Sequence, residues 1–185
     1  KIPHAAGSAY AMKIQGDKSI AIAYFGEGAT SEGDFHAGVN FGAVRKAHVI
    51  FFCRNNGYAI STVCSRQFAS DGVAPKAEAY GIWGLRVDGN DFFAIHEAVS
   101  KARNHCLEGK GPVLIEAMTY RRGAHSTSDD PSLYRSDEEV KQWEKKCPIL
   151  RLGKYLKAKG LWDDEKEQEL IGKTNEEIPQ AINTA

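Results

Sequence analysis

Four apolar runs of strand length are spaced along the first two thirds of the chain, at residues 19–25, 49–53, 84–88 and 113–120. Such runs, bounded by glycine and polar turns, predict strands buried on both faces. Between the first two, residues 31–46 carry Phe35, Val39, Phe41, Ala43 and Val44 near helical period, with Ser31 as the expected cap and Asp34 complementing the dipole. Residues 3–14 are rich in alanine and other small residues and predict a closely packed helix ended by Gly16-Asp17. Residues 61–76 predict a loop containing Gly72 and Pro75, then a short helical piece to Tyr80. Asp91 is the expected cap of a helix whose buried face holds Phe92, Ile95, Val99, Ala102 and Cys106 or Leu107, stopped by Gly109 and Gly111-Pro112. Further on, Ser136-Asp137-Glu138-Glu139 is a capping box opening a helix through Trp143. Pro148 breaks that helix, residues 149–159 form another ending at Gly160, and Asp163-Asp164-Glu165 opens a last charged one with a solvated face.

Strands alternating with helices at this spacing predict an α/β fold with a doubly wound parallel sheet. Residues 1–147 make the α/β domain and residues 148–185 a helical extension of it. The first two strands and the helix between them form one βαβ crossover. Its right-handedness puts both following turns at the carboxyl edge of the sheet, where open α/β sheets bind ligands.

Composition narrows the classes. The chain has 185 residues, 42% hydrophobic and 26% charged, enough for one real core. Its 24 basic and 24 acidic residues cancel, which removes any electrostatic reason to expect nucleic acid or an anionic membrane as partner. No apolar run is long enough to span a bilayer as a helix. Cys53, Cys64, Cys106 and Cys147 are dispersed, with no Cys-x-x-Cys pair; Cys53 and Cys106 read as core residues, and a reducing compartment is expected. The chain opens in mid-pattern and carries no targeting segment, so it reads as a fragment of a longer subunit.

The two turns at the carboxyl edge carry the chemistry. The first is Gly26-Glu27-Gly28-Ala29-Thr30-Ser31-Glu32-Gly33-Asp34, and the second is Arg54-Asn55-Asn56-Gly57-Tyr58. Gly-X-Gly lets the backbone approach a ligand closely, with amides available to phosphate oxygens. Glu27 is a hard oxygen donor, Asn56 offers a side-chain carbonyl, and the bend at Gly57 frees main-chain carbonyls such as that of Tyr58. Few protein oxygens with room for phosphates and water is how magnesium is usually held. Arg54 is a candidate fork for the same phosphates. A third polar stretch, residues 121–135, leaves the same edge after the fourth strand. It contains His125, which can serve as acid, base or donor near neutral pH.

An acid between two glycines, followed one crossover later by Asn-Asn, resembles the thiamine diphosphate motif. The segments Tyr-Phe-Gly-Glu-Gly-Ala (24–29), Ile-Phe-Phe-Cys-Arg-Asn-Asn-Gly-Tyr-Ala-Ile-Ser-Thr (50–62) and His-Ser-Thr-Ser-Asp-Asp (125–130) are similar to the alpha subunits of branched-chain 2-oxo acid dehydrogenases. The resemblance covers nearly the whole chain and weakens after about Cys147.

That resemblance implies oxidative decarboxylation of branched-chain 2-oxo acids with thiamine diphosphate and Mg2+. It implies Glu27, the Asn56 side chain and the Tyr58 main-chain oxygen as metal ligands, and Gly28, Ala29 and Arg54 on the diphosphate. His125 matches a histidine that contacts cofactor and assists acyl transfer to a lipoyl group. Ser126 matches a serine whose phosphorylation inactivates, and Ser136 a second, silent phosphorylation site. Implied partners are a beta subunit in an alpha2-beta2 heterotetramer, a lipoyl-bearing acyltransferase component, and a regulatory kinase and phosphatase, all in the mitochondrial matrix. A potassium site would lie before Lys1. No candidate is present for the glutamate that activates the aminopyrimidine, which the beta subunit supplies, so the chain alone is expected to be inactive. Three departures stand out: Glu27 replaces the commoner Asp, Ala124 stands where many relatives have a second histidine, and Val63 where they often have proline. The alternatives are a pyruvate or acetoin dehydrogenase alpha subunit, or a non-catalytic regulatory subunit that keeps the fold. A nicotinamide-binding domain is disfavoured because Gly26, Gly28 and Gly33 miss the Gly-x-Gly-x-x-Gly spacing.

Overall fold

The computed structural model describes residues 1–184, which form two compact units, residues 1–145 and residues from 146 onward. In the first unit, helix α1 (Ile2–Ile14) leads into strand β1 (Ala21–Gly26), a 3-10 turn (Glu27–Ser31), helix α2 (Gly33–Arg45) and strand β2 (Val49–Asn55). A two-stranded hairpin follows, β3 (Tyr58–Ala59) with β4 (Thr62–Val63), and then short helices α3 (Cys64–Gln67) and α4 (Lys76–Ala79). Strand β5 (Trp83–Asp88), helix α5 (Phe92–Leu107), strand β6 (Val113–Met118) and helix α6 (Asp137–Glu144) complete it.

The main sheet has the order β1-β2-β6-β5, with every pair parallel. Alternation along β2 explains the uniformly apolar run Val49–Cys53. Val49, Phe51 and Cys53 join the core shared with α1 and α2, while Ile50 and Phe52 join the core shared with α5. A strand covered on both faces has no solvent side on which to place a polar residue. Helices on both faces of a parallel sheet are the doubly wound arrangement expected from the alternation of elements. Ile2, Ala6 and Ala9 of α1 are buried in the first core, which accounts for the small residues of that helix. Lys13 of α1 donates to the carbonyls of Arg45 and Lys46 at 2.9 and 3.0 Å, satisfying the C-terminal end of α2.

Four local expectations are corrected. Ser31 does not cap α2: it ends a 3-10 turn, and the capping position is Glu32, without a side-chain cap. The predicted loop at residues 61–76 contains part of the hairpin and all of α3. Phe92 is half exposed, and the buried stripe of α5 is Ala98, Ala102 and Cys106. Small side chains there let the helix lie close to the sheet. The fourth strand stops at Met118, and Thr119 beyond it donates from its amide to the Asn55 carbonyl and from its hydroxyl to Asn90. Asp91 caps α5 as expected, accepting from the amides of Phe93 and Ala94. Ser136 likewise caps α6, accepting from Glu139.

In the second unit, α7 (Pro148–Ala158) begins with proline at its first position, where no amide is needed, and Gly160 follows its end. Helix α8 (Asp164–Thr184) is capped by Asp163, which accepts from the Lys166 amide at 2.8 Å. No residue of either helix is buried. Among the described residues no helix is long and apolar enough to cross a membrane.

Gly72 is among the glycines fixed by the packing of the first unit. Gly72 has φ of +79°, and a Cβ there would lie 2.6 Å from Glu116 Oε1 and against the Arg86 guanidinium. Gly72→Ala in the full-length protein is therefore expected to destabilise by about 2–4 kcal/mol, from left-handed strain plus overpacking. Urea denaturation measures it, and an unchanged midpoint would contradict the close packing around Gly72.

Candidate functional site

The parallel strands end together, and the first polar group past β1 is Glu27. The 3-10 turn draws it inward until it is 1% exposed. Its Oε2 accepts from the Asn56 amide at 3.1 Å, so the two sequence-predicted turns touch through Glu27 itself. Thr30 donates to the Glu27 carbonyl at 2.7 Å and holds the turn. The other carboxylate oxygen, Oε1, is buried with no hydrogen-bond partner. A buried carboxylate oxygen left so is costly unless something positive or hydrogen-bearing meets it.

Asn56 Oδ1 accepts from the Tyr58 amide at 3.1 Å, which turns the chain into the hairpin. The Tyr58 carbonyl is less free than its sequence position suggested, since Arg121 donates to it at 3.2 Å and to the Ile60 carbonyl at 2.6 Å. Both oxygens keep a second lone pair. Gly28 and Ala29 lie in the 3-10 turn. A Cβ on Gly28 would stand 2.7 Å from Ala59 Cβ, so Gly28 also lets the hairpin close over the turn. Arg54 pairs with Gly26 across the β1–β2 register and is exposed. Among the described residues no hydrogen bond or ion pair ties it to the other candidates. Nor do three or more His, Cys, Asp or Glu side chains gather to hold a metal. A cation held here would rest on one carboxylate and neutral oxygens, a set that suits magnesium when phosphates complete its shell.

Beneath the Asn55-Asn56 turn lies a group that sequence reasoning missed. Glu116, in the middle of β6, is fully buried and takes four hydrogen bonds. Oε1 accepts from Asn55 Nδ2 at 2.7 Å and the Val73 amide at 2.8 Å, and Oε2 from the Ala74 amide and Arg86 Nε, both at 2.9 Å. Burial raises its pKa, but the bonds from Ala74, Asn55, Val73 and Arg86 outweigh that and hold it below its ordinary value of 4.5. Its stabilisation is thus complete above about pH 4.5 and drains as pH falls through the lower folded value. An acid in the apolar run Val-Leu-Ile-Glu-Ala-Met was the available signal.

The polar stretch after β6 is ordered by two arginines that the sequence did not single out. Arg135, 8% exposed, donates to the carbonyls of Arg121, Arg122 and Gly123. Asp129 accepts from the His125 amide and the Tyr134 hydroxyl, both at 2.7 Å, and Arg121 donates to that hydroxyl at 3.1 Å. His125 is exposed, as is Ser126, whose hydroxyl is 3.2 Å from that of Ser128. A continuous hydrogen-bonded path therefore runs from the backbone of His125 through Asp129, Tyr134 and Arg121 to the Tyr58 carbonyl.

This site sits in a chain that matches the dehydrogenase E1 component family over residues 1–185. The chain belongs to that family. It is similar to the 2-oxoisovalerate dehydrogenase alpha subunit of Bos taurus, with 50% identity over 186 residues covering 100% of this chain and 41% of that protein. The mouse protein of the same name is 51% identical over all of this chain and 42% of its own length. That of Caenorhabditis elegans is 56% identical over 171 residues, 91% of this chain and 39% of its own length. The chain spans about two fifths of the length of these curated relatives. The kinship read from the Gly-Glu-Gly, Asn-Asn and His-Ser motifs is the one the relatives carry.

Cys64 lies beside these groups. Its Sγ lies 3.4 Å from Asn55 Oδ1, and burial first, then the charges of Glu27 and Glu116, push its thiol from 9.0 up to about 11. Two units mean about 100-fold less thiolate near neutral pH than an ordinary cysteine has. Alkylation of Cys64 at pH 8, followed by mass spectrometry, is expected to be slower in the folded protein than in urea by about that factor. Equal rates would show that the carboxylates do not face the thiol.

Proposed function

We propose that this chain contributes the metal and diphosphate half of a thiamine diphosphate site in a mitochondrial branched-chain 2-oxo acid dehydrogenase, as its alpha subunit. The observation that carries this reading is the buried, half-unpartnered Glu27 carboxylate joined to Asn56 at the carboxyl edge of a parallel sheet. Glu27 Oε1, the Asn56 side-chain carbonyl and the Tyr58 carbonyl are oxygens of the kind Mg2+ takes, and the amides of Gly28 and Ala29 with the Arg54 guanidinium are donors of the kind a diphosphate completing its shell would need. Thiamine diphosphate, when bound, supplies the electron sink that loss of carbon dioxide from a 2-oxo acid requires.

What the chain's own residues do follows from their placement. Glu27 would neutralise the cation from a buried position, and Gly28 lets the hairpin close over the turn. His125, exposed on an ordered loop, is free to donate a hydrogen bond to a reacting acyl group as it passes to a lipoyl group on the acyltransferase component. The activating glutamate belongs to a beta subunit, so the active unit is an alpha2-beta2 heterotetramer.

Ser126 fits a regulatory phosphorylation site served by a kinase and a phosphatase. A dianion there lies next to Asp129, and mutual repulsion would break the bond from His125 to that carboxylate and release the loop. At Ser136 a phosphate would sit on the N-terminus of α6, where the dipole favours it and Asp137, Glu138 and Glu139 oppose it, consistent with little net effect.

In the full-length subunit assembled with its beta partner, decarboxylation of 3-methyl-2-oxobutanoate should exceed that of pyruvate and require both thiamine diphosphate and Mg2+. Preference for pyruvate would keep the site and change the substrate, whereas no turnover from a folded assembly would favour a non-catalytic subunit. Glu27→Ala should abolish Mg2+-dependent cofactor binding in equilibrium titration, and retained affinity would remove it as a ligand. Ser126→Glu is expected to suppress acyl transfer much more than cofactor affinity, a split visible by comparing lipoyl acylation with cofactor titration. Full acylation would refute the loop switch.

A further inference from the structure

The best-connected buried group of the chain has no place in the reading above. Glu116 lies on β6, beneath the turn that presents Asn56 and Tyr58. Being ionised, it only accepts, so it fixes which way round the Asn55 amide stands. Nδ2 must face Glu116, and Oδ1 is then left to accept from the Gly57 amide at 3.0 Å. That second bond shapes the turn whose next atoms are the Asn56 side chain and the Tyr58 carbonyl.

We propose that Glu116 is a positioning residue for the metal end of the site, acting through the Asn55 amide on the Asn56-Gly57-Tyr58 turn. The proposal rests on the site assignment for Glu27, Asn56 and Tyr58. The other three bonds of Glu116 serve it too: Val73, Ala74 and Arg86 hold the carboxylate still, so that its direction is passed on without slack. Residues that orient metal ligands from behind typically govern affinity by about 10–100-fold.

The logic of donors and acceptors gives a test. In Glu116→Gln the new side chain offers one acceptor and one NH2, and that NH2 must meet either Asn55 Nδ2 and the Val73 amide or the Ala74 amide and Arg86. Rotation of the Asn55 amide to relieve the first conflict sets its NH2 against the Gly57 amide, and the turn loses its cap. Adding Asn55→Asp supplies a carboxylate that can accept from both the new glutamine amide and the Gly57 amide. The experiment uses the full-length subunit assembled with its beta partner. Mg2+ is titrated in the presence of thiamine diphosphate with calorimetric detection, and each variant's thermal midpoint is recorded.

Glu116→Gln and Asn55→Asp are each expected to raise the Mg2+ requirement about tenfold or more, and the double variant to recover most of it. A general charge effect would instead make Asn55→Asp alone bind tighter, and that result would overturn the proposal. Should Glu116→Gln not fold, Asn55→Ala carries the test, since it removes the link while leaving Glu116 three donors. A weakened Mg2+ response in folded Asn55→Ala supports the positioning role. A parental response there, with binding lost in Glu27→Ala, overturns it and leaves the metal site intact. Parental binding in Glu27→Ala as well overturns the site assignment, and the positioning role falls with it.

Discussion

One buried carboxylate connects parts of this chain that the sheet alone would leave separate. Glu116 joins the end of β2, the residues 71–74 segment and β5 by accepting from Asn55, Val73, Ala74 and Arg86. Arg86 extends the connection to Asp71 at 3.0 Å. Taking a carboxylate out of water is expensive, and four well-formed bonds, two of them from backbone amides, are what make it tolerable. Breaking such an arrangement costs about 3–5 kcal/mol, while an apolar replacement of the whole set can be neutral. The carboxylate is therefore better understood as setting a particular geometry than as adding stability. The tight fit at Gly72, which no side chain could share with Glu116 and Arg86, agrees with that.

The parallel topology then explains why the candidate residues converge. β1 and β2 run side by side, so the turn after one and the turn after the other must meet, and they do so through Glu27 and Asn56. β6 lies next to β2, which brings the residues 121–135 segment to the same edge. Aromatic packing fixes it there: Tyr120 stacks on Trp143 at 5.2 Å, Tyr58 meets Tyr134 at 5.6 Å, and Arg135 lies 5.2 Å over Tyr120. The edge is graded from a closed end at Glu27 to an exposed end at His125 and Ser126. Such a gradient fits the proposed division of labour, with a metal held out of water and an acyl group handed to a separate protein.

The strands, the crossover helix and the site turns were legible because each has a short-range signal: apolar runs, helical period, glycine punctuation, and an acid between glycines. Local readings failed where a longer-range contact decided the outcome. Ser31 looked like a cap, but the buried position of Glu27 winds the preceding residues into a 3-10 turn and moves the helix start past it. Phe92 looked like a core residue by period, yet the face of α5 at closest approach to the sheet is the small stripe Ala98, Ala102 and Cys106. Glu116 and Arg121 escaped notice because their partners are distant: Glu116 pairs with Asn55 across 61 positions, and Arg121 reaches the Tyr58 carbonyl across 63. Buried charge of this kind leaves a signature only as an anomaly, an acid in an apolar strand, which does not name its partner.

Tyr58 shows what those distant contacts achieve together. Its amide donates to Asn56, its carbonyl accepts from Arg121, and its hydroxyl donates to Glu139 of α6 at 3.1 Å. Burial, then the bond to Glu139, raises the phenol above its ordinary value, so that donor stays protonated throughout the neutral range. The residue is thus held at three points by three elements: the turn after β2, the loop after β6, and the helix capped by Ser136. A displacement of the loop changes the company of the Tyr58 carbonyl through Arg121, while Glu116 fixes the other side of the same turn through Asn55. The Glu27 end and the loop end of the edge consequently share one short segment, residues 55–58. Its geometry is set from the core side by the Glu116 carboxylate and from the solvent side by Arg121, on the loop that Asp129 and Arg135 order.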